Sequence, residues 1–173
     1  MGRKAGHLAL GIGKSSGATL TIIPEEWRGT PIRLQEVVDI LVIAILRRLA
    51  EGKRHGVALI AEGILEYLSE EDEKYLEGID RDPHGHVPLH DIAFADILKR
   101  WVVKDLADLG VKIQIRDKEL GYELRCAPPI AYDIDYTRSL GEAAASFLLA
   151  GKSNATMTLQ GGHTKAIPAE VMM

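Results

Sequence analysis

The sequence predicts an α/β protein with a mainly parallel sheet between flanking helices, in three layers. Segments of helical periodicity alternate with short β-branched segments along the 173 residues, a pattern typical of parallel sheets built from right-handed crossovers. Hydrophobic residues make up 46% of the chain but aromatic residues only 5%, so the core must be mainly aliphatic, as in sheets that helices cover on both faces. The length suits one ordinary domain, and we expect residues 1–173 to form a single α/β domain.

Four alternating elements are predicted in the first half of the chain. Gly17 is placed to terminate the first helix before a β-branched run that is typical of a buried strand. Apolar residues then recur at three- and four-residue spacing and stop before Gly52, which is the pattern of a long amphipathic helix. A short apolar strand ends at Glu62, where an acidic residue meets a turn. The predicted elements are helices over residues 4–15 and 32–49 and strands over residues 18–23 and 57–61.

The second half begins with a polar, loop-rich insertion over residues 66–91. Asp91 can cap the helix that follows, and Gly110 closes that helix. Apolar and polar residues then alternate, which predicts a half-buried strand, and Pro128-Pro129 require an extended or looped connection before the last helix. The predicted elements are helices over residues 92–109 and 133–149 and strands over residues 111–115 and 155–159.

Charge and cysteine content exclude several classes of function. The formal net charge of -4 is mild, so neither nucleic acid nor an anionic membrane is an expected partner. Cys126 is the single cysteine, which excludes an internal disulfide framework and fits a reducing cytosol. The opening MGRKAGHLALGIGKSSG is too interrupted by glycine and polar residues for a signal peptide, and the longest apolar stretch is too short to span a bilayer. We therefore expect a soluble, cytoplasmic protein.

The segment from Gly11 to Gly17 resembles the end of a phosphate-binding loop of the form GxxxxGK[ST]. That loop requires glycine where this chain has Leu8, because glycine allows the backbone to approach the phosphate closely. The segment also precedes a predicted strand, whereas a phosphate-binding loop follows a strand and opens a helix. A nucleotide hydrolase is therefore disfavoured, although nucleotide-dependent turnover that is lost on changing Lys14 would support it.

Histidines and aspartates in the polar insertion suggest a metal site as another possibility. Histidines one residue apart share a metal only where the backbone turns both side chains the same way, and structural zinc usually recruits cysteine, which this cluster lacks. We therefore favour a solvated loop and predict no metal ligand in this chain. The residues concerned are His84, His86, His90, Asp80, Asp82 and Asp91.

Charged residues fall at or just beyond the ends of predicted strands. Glu62 and Arg116 each follow a predicted strand, and residues 160–163 follow the last predicted strand. Arg125 lies further along the loop that begins at Arg116. In an open α/β sheet, ligands usually bind at the carboxyl ends of the strands. The planar guanidinium of arginine matches phosphate, and a carboxylate accepts hydrogen bonds from sugar hydroxyls. A phosphorylated polyol is therefore the ligand that these residues suggest.

Three longer segments carry a specific resemblance. The segments MGRKAGHLALGIGKSSGATLTIIPEE, GVALIAEG and GYELRCAPPIAYDIDYTRSLGEAAASFLLAG resemble, in order and spacing, the second domain of 6-phosphofructokinases. The resemblance covers nearly the whole chain and implies the fold of that domain. Tyr122 stands where the best-known ATP-dependent members carry histidine, and this departure, together with the opening segment, favours the pyrophosphate-dependent branch.

The resemblance also implies which residues bind fructose 6-phosphate. Residues 1–3 would form a turn beside the sugar, with Arg3 in a catalytic role near the phosphoryl group that is transferred. Glu62 would bind sugar hydroxyls, residues 122–125 would hold the 6-phosphate, and Arg116 would reach the substrate phosphate of a neighbouring subunit. The implied substrate-binding residues are Met1, Gly2, Arg3, Glu62, Arg116, Tyr122, Glu123, Leu124 and Arg125.

Phosphoryl transfer also needs a phosphoryl donor with its metal and a base for the hydroxyl proton. In the family, the glycine-rich donor loop and a Thr-Ile-Asp-Asn-Asp segment that holds the base and magnesium-related carboxylates precede the Met-Gly-Arg turn. We expect both to be missing here, so the intact enzyme would use pyrophosphate or ATP with Mg2+ whereas this chain alone would show no turnover. We expect a homo-oligomer. A non-catalytic sugar-phosphate-binding or assembly module is the alternative.

Overall fold

Helices and short strands alternate along the chain, which confirms the predicted α/β class. The computed structural model describes residues 5–76, 92–121, 123 and 126–172. Contacts divide the chain into two units, Met1–Leu120 and Gly121–Met173. The first unit contains α1 (His7–Ser16), β1 (Leu20–Ile22), α2 (Leu34–Ala50), β2 (Ala58–Ile60) and α3 (Phe94–Asp108), and the second contains α4 (Ala131–Leu149), β3 (Ala155–Gln160) and β4 (His163–Pro168).

β1 and β2 pair in parallel, as the predicted crossover requires. Ile22 lies opposite Ile60, and the pairing extends one step further because the Ala61 amide donates to the Ile22 carbonyl at 2.9 Å. Parallel strands cannot be joined by a tight turn, and α2 lies in the connection between these two. The carboxyl ends of both strands therefore share one edge, and Glu62 follows directly at that edge.

Aliphatic side chains of α2 and α3, together with the fully buried Ile22, Ile32 and Ile64, form the core of the first unit. The buried residues of α2 recur at three- and four-residue spacing and those of α3 at every fourth residue, so each helix presents one apolar stripe. Each stripe must be covered by another apolar face, and the two helices pack on each other. The buried helical residues are Leu34, Val37, Val38, Leu41 and Val42 in α2 and Phe94, Leu98, Val102 and Leu106 in α3.

Glycine follows each helix of the first unit where the apolar pattern stops. Gly17 has a φ of 66°, and its amide donates to the Gly13 carbonyl. Gly52 and Gly110 have φ values of 75° and 74°. These angles lie in the left-handed region, where a Cβ would be strained. The three predicted helix ends are therefore confirmed.

Gly13 is required for space. It is the buried residue of α1, and a Cβ added there would overlap the Thr21 hydroxyl and lie 3.1 Å from Thr21 Cβ. We expect Gly13→Ala to destabilise the chain by about 1–3 kcal/mol, because the overlap must push β1 away from α1. Gly11→Ala is the matched control. Nothing lies within 4 Å of its added Cβ, so the helix propensity of alanine should stabilise the chain by roughly 1 kcal/mol. Urea denaturation measures both, and equal stabilities would contradict this packing.

The second unit consists of α4 and a β-hairpin. β3 and β4 pair antiparallel, and Gly161-Gly162, with φ values of 60° and 81°, form the turn between them. Positive φ at both positions is what a type I′ turn requires. At the start of α4, the Ile130 amide donates to Asp133 Oδ2 at 3.0 Å. Like the other helices of the described ranges, α4 lacks the combination of length and apolar character that a membrane span needs.

Two predictions about strands are wrong in detail. In residues 111–115 the predicted alternation is present, since Val111, Ile113 and Ile115 are half-buried against the core, but the segment forms no strand. A strand needs a hydrogen-bonded neighbour, and none of the described strands pairs with this segment. Residues 160–163 form a hairpin turn instead of the end of a parallel strand, because β4 returns directly alongside β3.

The predicted sheet and insertion are observed only in part. The described strands form one parallel pair and one antiparallel pair, without a continuous sheet among the described residues. Within the predicted insertion, the structure describes residues 66–76, which include a 3-10 turn at Glu73–Leu76. α3 begins at Phe94 with Ala93 at its N-cap. The predicted cap, Asp91, lies outside the described residues.

Candidate functional site

Glu62 lies directly beyond the carboxyl end of β2, where a ligand meets an open α/β sheet. It is half-buried and opens a 3-10 turn, Glu62–Tyr67. The chain turns here because Ala61 still pairs with β1 while the Ile64 amide already donates to the Ala61 carbonyl at 3.2 Å. Ile64 and Leu65 are buried in the core, so their packing fixes the backbone of the residues that follow Glu62.

A second backbone contact holds the far end of this turn. Ile32 and Leu68 form a parallel bridge. The Ile32 amide donates to the Tyr67 carbonyl at 2.7 Å, and the Ser69 amide donates to the Ile32 carbonyl at 2.8 Å. Residues 62–69, which we call the Glu62 segment, are therefore attached to the first unit at both ends.

Arg116 is exposed, and a charged network lies beside it in the sequence. Lys99 Nζ donates to Asp117 Oδ1 at 2.7 Å and lies 2.7 Å from Asp96 Oδ1. Arg100 pairs with the same Asp96 at 3.1 Å. Because Lys99 belongs to α3, this network ties the backbone next to Arg116 to a packed helix.

The ion pair between Lys99 and Asp117 shifts the pKa values of both groups. Its hydrogen bond lowers the pKa of Asp117 below the usual 3.8, and hydrogen bonds to Asp117 and then Asp96 raise the pKa of Lys99 above the usual 10.5. A carboxyl whose folded pKa is lower stabilises the fold above its unfolded pKa, and the contribution is lost as pH falls through the folded pKa. The contribution of Lys99 is present below its unfolded pKa and is lost as pH rises through its folded pKa.

We therefore expect Asp117→Asn to lower the urea midpoint at neutral pH, because Lys99 loses its ionised partner. The difference from the parent chain should shrink at acid pH, as the pH falls through the lowered folded pKa of Asp117 and the parent carboxyl also becomes protonated. Glu119→Gln changes an exposed neighbour and serves as the control. Urea titrations at the two pH values measure the effect, and a difference of equal size at both would show that the ion pair is not its cause.

Gly6, which follows the predicted Met1-Gly2-Arg3 turn in the sequence, packs against the residues just after β1. The Gly6 amide, at the start of α1, donates to Glu25 Oε1 at 2.7 Å. A Cβ added at Gly6 would overlap the side chains of Ile23 and Glu25. Glycine is therefore needed at this position for α1 to start so close to the strand.

Most of the predicted substrate-binding residues lie outside the described part of the chain. Glu62 and Arg116 lie in the first unit, and Glu123 lies in the second, where its Oε2 accepts a hydrogen bond from the Gly121 amide at 3.2 Å. The convergence of these residues on one ligand stays a prediction. The residues outside the described part are Met1, Gly2, Arg3, Tyr122, Leu124 and Arg125.

The disfavoured phosphate-binding loop has the wrong position in the fold. Residues 11–16 form the last part of α1, and Gly17 turns the chain into β1. This order of helix, turn and strand is the reverse of the strand, loop and helix that such a loop needs. Lys14 belongs to the last turn of α1, so it does not occupy the position of the lysine that binds phosphate in such a loop.

Potential metal ligands do not gather in the described residues. In that part of the chain, no group of three or more His, Cys, Asp or Glu side chains is arranged to hold a metal ion. The cluster considered in the sequence lies outside it, at His84, His86, His90, Asp80, Asp82 and Asp91.

The second unit has a concave surface of its own. His163, just after the hairpin turn, borders a cleft of about 610 Å³ between α4 and the hairpin. Lys152, Lys165 and Glu142 also line this cleft. The predicted ligand position at residues 160–163 thus lies next to a cleft, although it is not the end of a parallel strand.

Asp72 is a supporting residue that was not predicted from the sequence. Its Oδ2 accepts hydrogen bonds from the Leu34 amide at 2.8 Å and from Ser69 Oγ at 3.1 Å. The spacing of Ser69 and Asp72 indicates a capping motif and is visible in the sequence. The Leu34 contact has no local signal, because its partners lie 38 positions apart.

Comparisons with known proteins give one consistent family. A family model described as Phosphofructokinase matches residues 1–148. The chain is 46% identical to a pyrophosphate–fructose 6-phosphate 1-phosphotransferase of Thermotoga maritima, in an alignment that covers 100% of the chain and 42% of the relative. It is 42% identical to a protein of the same name from Naegleria fowleri, in an alignment that covers 97% of the chain and 40% of the relative. A protein of that name from Porphyromonas gingivalis is 27% identical, with 88% and 38% covered.

These relatives are all longer than the chain, which spans about two fifths of their length. They all carry names that specify pyrophosphate as the phosphoryl donor. The resemblance inferred from the Met-Gly-Arg opening, the segment ending at Glu62 and the segment after Gly121 is confirmed, and so is the preference for the pyrophosphate branch.

Proposed function

The chain belongs to the phosphofructokinase family, and from this premise we propose that it contributes the sugar-phosphate site of a pyrophosphate-dependent 6-phosphofructokinase. The observation that carries the proposal is the 46% identity over the whole chain to a relative whose name states that reaction. The position of Glu62, beyond a parallel strand and at the edge where such sheets bind ligands, supports it.

We assign the reaction as an in-line transfer. The 1-hydroxyl oxygen of fructose 6-phosphate attacks a phosphorus atom of pyrophosphate, a new P–O bond forms, and inorganic phosphate leaves. The hydroxyl proton goes to a base that we place in the part of the relatives that this chain does not span. Little covalent work falls to the protein, so positioning and charge neutralisation dominate catalysis.

We assign charge neutralisation during transfer to Arg3, beside Met1 and Gly2 at the sugar. The close packing of Gly6 against Ile23 and Glu25 supports this role, because it fixes the backbone three positions after Arg3. A guanidinium that is placed in advance near the developing charge lowers the barrier without reorganising during the reaction.

We assign the grip on the 6-phosphate to Tyr122 and Arg125, with Glu123 and Leu124 between them. Glu62 accepts hydrogen bonds from sugar hydroxyls, so the two ends of the substrate are recognised by groups of different charge. A guanidinium offers phosphate two parallel hydrogen bonds, which fix its orientation as well as its position. Holding both ends in this way would present the 1-hydroxyl toward the donor.

We assign Arg116 to the substrate phosphate of a neighbouring subunit, which makes the protein a homo-oligomer. The exposed position of Arg116 and the tie between Asp117 and Lys99 support this role. Exposed apolar side chains of the second unit, such as Leu148, Leu149 and Val171, also favour association. Sedimentation at increasing protein concentration tests it, and a monomer at all concentrations would count against it.

Pyrophosphate is the proposed donor and ATP the alternative, with Mg2+ as the metal of the intact enzyme. The metal would supply positive charge that offsets the negative charge of the donor. We place its ligands on the donor side, outside this chain. The proposed surroundings are the cytoplasm, with neither nucleic acid nor membrane as a partner. The two units would then belong to one α/β domain, residues 1–173 with the insertion at 66–91. This domain would have three layers, with a mainly parallel sheet between flanking helices.

A non-catalytic role is the second candidate, since the chain spans only 42% of the Thermotoga relative. The same arginines would then bind a sugar phosphate, or assist assembly, without turnover. Calorimetric titration of the purified chain with fructose 6-phosphate tests the binding site that both share. A coupled assay with pyrophosphate and Mg2+ tests the expectation that both share, that this chain alone is inactive, and turnover would contradict it.

A further inference from the structure

The start of α2 is capped from a distance. Arg33 occupies its N-cap and makes no capping hydrogen bond with its side chain. The first helical amide, that of Leu34, donates instead to Asp72 Oδ2 at 2.8 Å. A carboxylate at this end of a helix satisfies an amide that lacks a partner within the helix and interacts favourably with the helix dipole.

The same oxygen binds the end of the Glu62 segment. Ser69 Oγ donates to Asp72 Oδ2 at 3.1 Å, and the Asp72 amide donates to the Ser69 carbonyl at 2.8 Å. Asp72 and Ser69 are both partly buried. One carboxylate therefore links the last residue of the Glu62 segment to a helix whose buried residues, Leu34 among them, form part of the core.

Glu62 lies between two such attachments. On one side, the Ala61 amide donates to β1 through the Ile22 carbonyl at 2.9 Å. On the other side stand the Ile32 bridge and the Asp72 carboxylate. The stretch of chain between the two attachments is short and includes the buried Ile64 and Leu65. Loosening the Asp72 attachment therefore leaves the Ile32 bridge to hold the end of the segment that lies away from β2.

We propose that Asp72 is a positioning residue that acts through Glu62 in sugar recognition. It orders the Glu62 segment by fixing Ser69 to the start of α2. The inference rests on the proposed function, because it takes Glu62 as the residue that meets the sugar hydroxyls. Asp72 itself does not touch the substrate.

Hydrogen exchange of the 173-residue chain tests the ordering without any ligand. We expect Asp72→Ala to raise amide exchange in peptides of residues 62–69 and at the start of α2 by about fivefold, the effect of losing a helix cap. Asp72→Asn keeps an acceptor oxygen and should restore most of the protection. Glu70→Ala removes an exposed carboxylate two positions before Asp72 and is the matched control. Unchanged exchange in Asp72→Ala, or an equal rise throughout α3, would overturn the proposal.

A double-mutant cycle with Glu62→Gln tests the route through Glu62. We expect Asp72→Ala to weaken fructose 6-phosphate binding about fivefold in the parent chain, in line with the loss of a cap, and to have no effect in Glu62→Gln. A purely structural role would give equal weakening in both backgrounds and would refute the proposal. If Glu62→Gln binds as the parent does, the proposed role of Glu62 fails and takes the recognition role of Asp72 with it. If the parent binds no fructose 6-phosphate, this chain alone does not form the proposed site, and the recognition role of Asp72 fails for the chain alone. The exchange data then still decide whether Asp72 orders the segment.

Discussion

Arg125→Ala should weaken the binding of fructose 6-phosphate by the purified chain by at least about 100-fold, because it removes the charge-assisted hydrogen bonds to the 6-phosphate. The phosphate carries all of the charge of this ligand, and a neutral side chain cannot replace a bidentate guanidinium. The prediction comes from the resemblance of residues 122–125 to the phosphate-binding motif of the family.

Calorimetric titration measures this loss. Arg138→Ala, which removes an exposed arginine from α4 of the same unit, controls for the general loss of positive charge. We expect the control to bind as the parent does, within a factor of about two, because an exposed surface charge is screened by salt. An Arg125→Ala variant with parental affinity would show that the phosphate lies elsewhere. A parent chain without measurable binding would show that the site needs a further part of the protein or a neighbouring subunit.

Leu106→Ala should destabilise the chain by about 3 kcal/mol, since truncating a buried leucine loses its transfer free energy and leaves a cavity. Leu106 is 0% exposed and packs in the core between α3 and the elements around it. The core cluster that contains Leu106 also includes the buried Val102 and Val38, so the core has little freedom to close the space.

Leu109→Ala is the matched control for this change. It removes the same atoms from the residue that caps the same helix, but Leu109 is 60% exposed. Its effect should stay within about 0.5 kcal/mol. Urea denaturation followed by circular dichroism gives both values. Equal destabilisation by the two variants would mean that α3 does not pack through the stripe that contains Leu106.

Whether a residue of the candidate site could be predicted from the sequence depends on how far along the chain its partners lie. Glu62 was correctly predicted to follow a strand, because a short apolar run followed by Glu-Gly ends a strand and both signals are local. Asp72 was missed because its helix partner, Leu34, lies 38 positions away in a different element. The network at Lys99 and Asp117 was missed for the same reason, since its members lie 18 positions apart.

The sequence alone determined the periodic helices and their ends in the first unit, because both follow from interactions within one or two helical turns. The spacing of apolar residues sets which face of α2 or α3 is buried, and a glycine such as Gly17 or Gly110 provides the left-handed angle at the end. The resemblance to the phosphofructokinase family likewise needed only residue order and spacing.

Tertiary contacts decided the features that depend on which segments meet. Residues 111–115 have the alternation of a strand, yet a strand exists only where a neighbour supplies hydrogen bonds, and no described strand does so here. Gly13 is needed because Thr21 packs against it. The start of α2 is capped by Asp72 because folding brings a distant loop to it. Such contacts join residues that are far apart in the chain, so no local pattern encodes them.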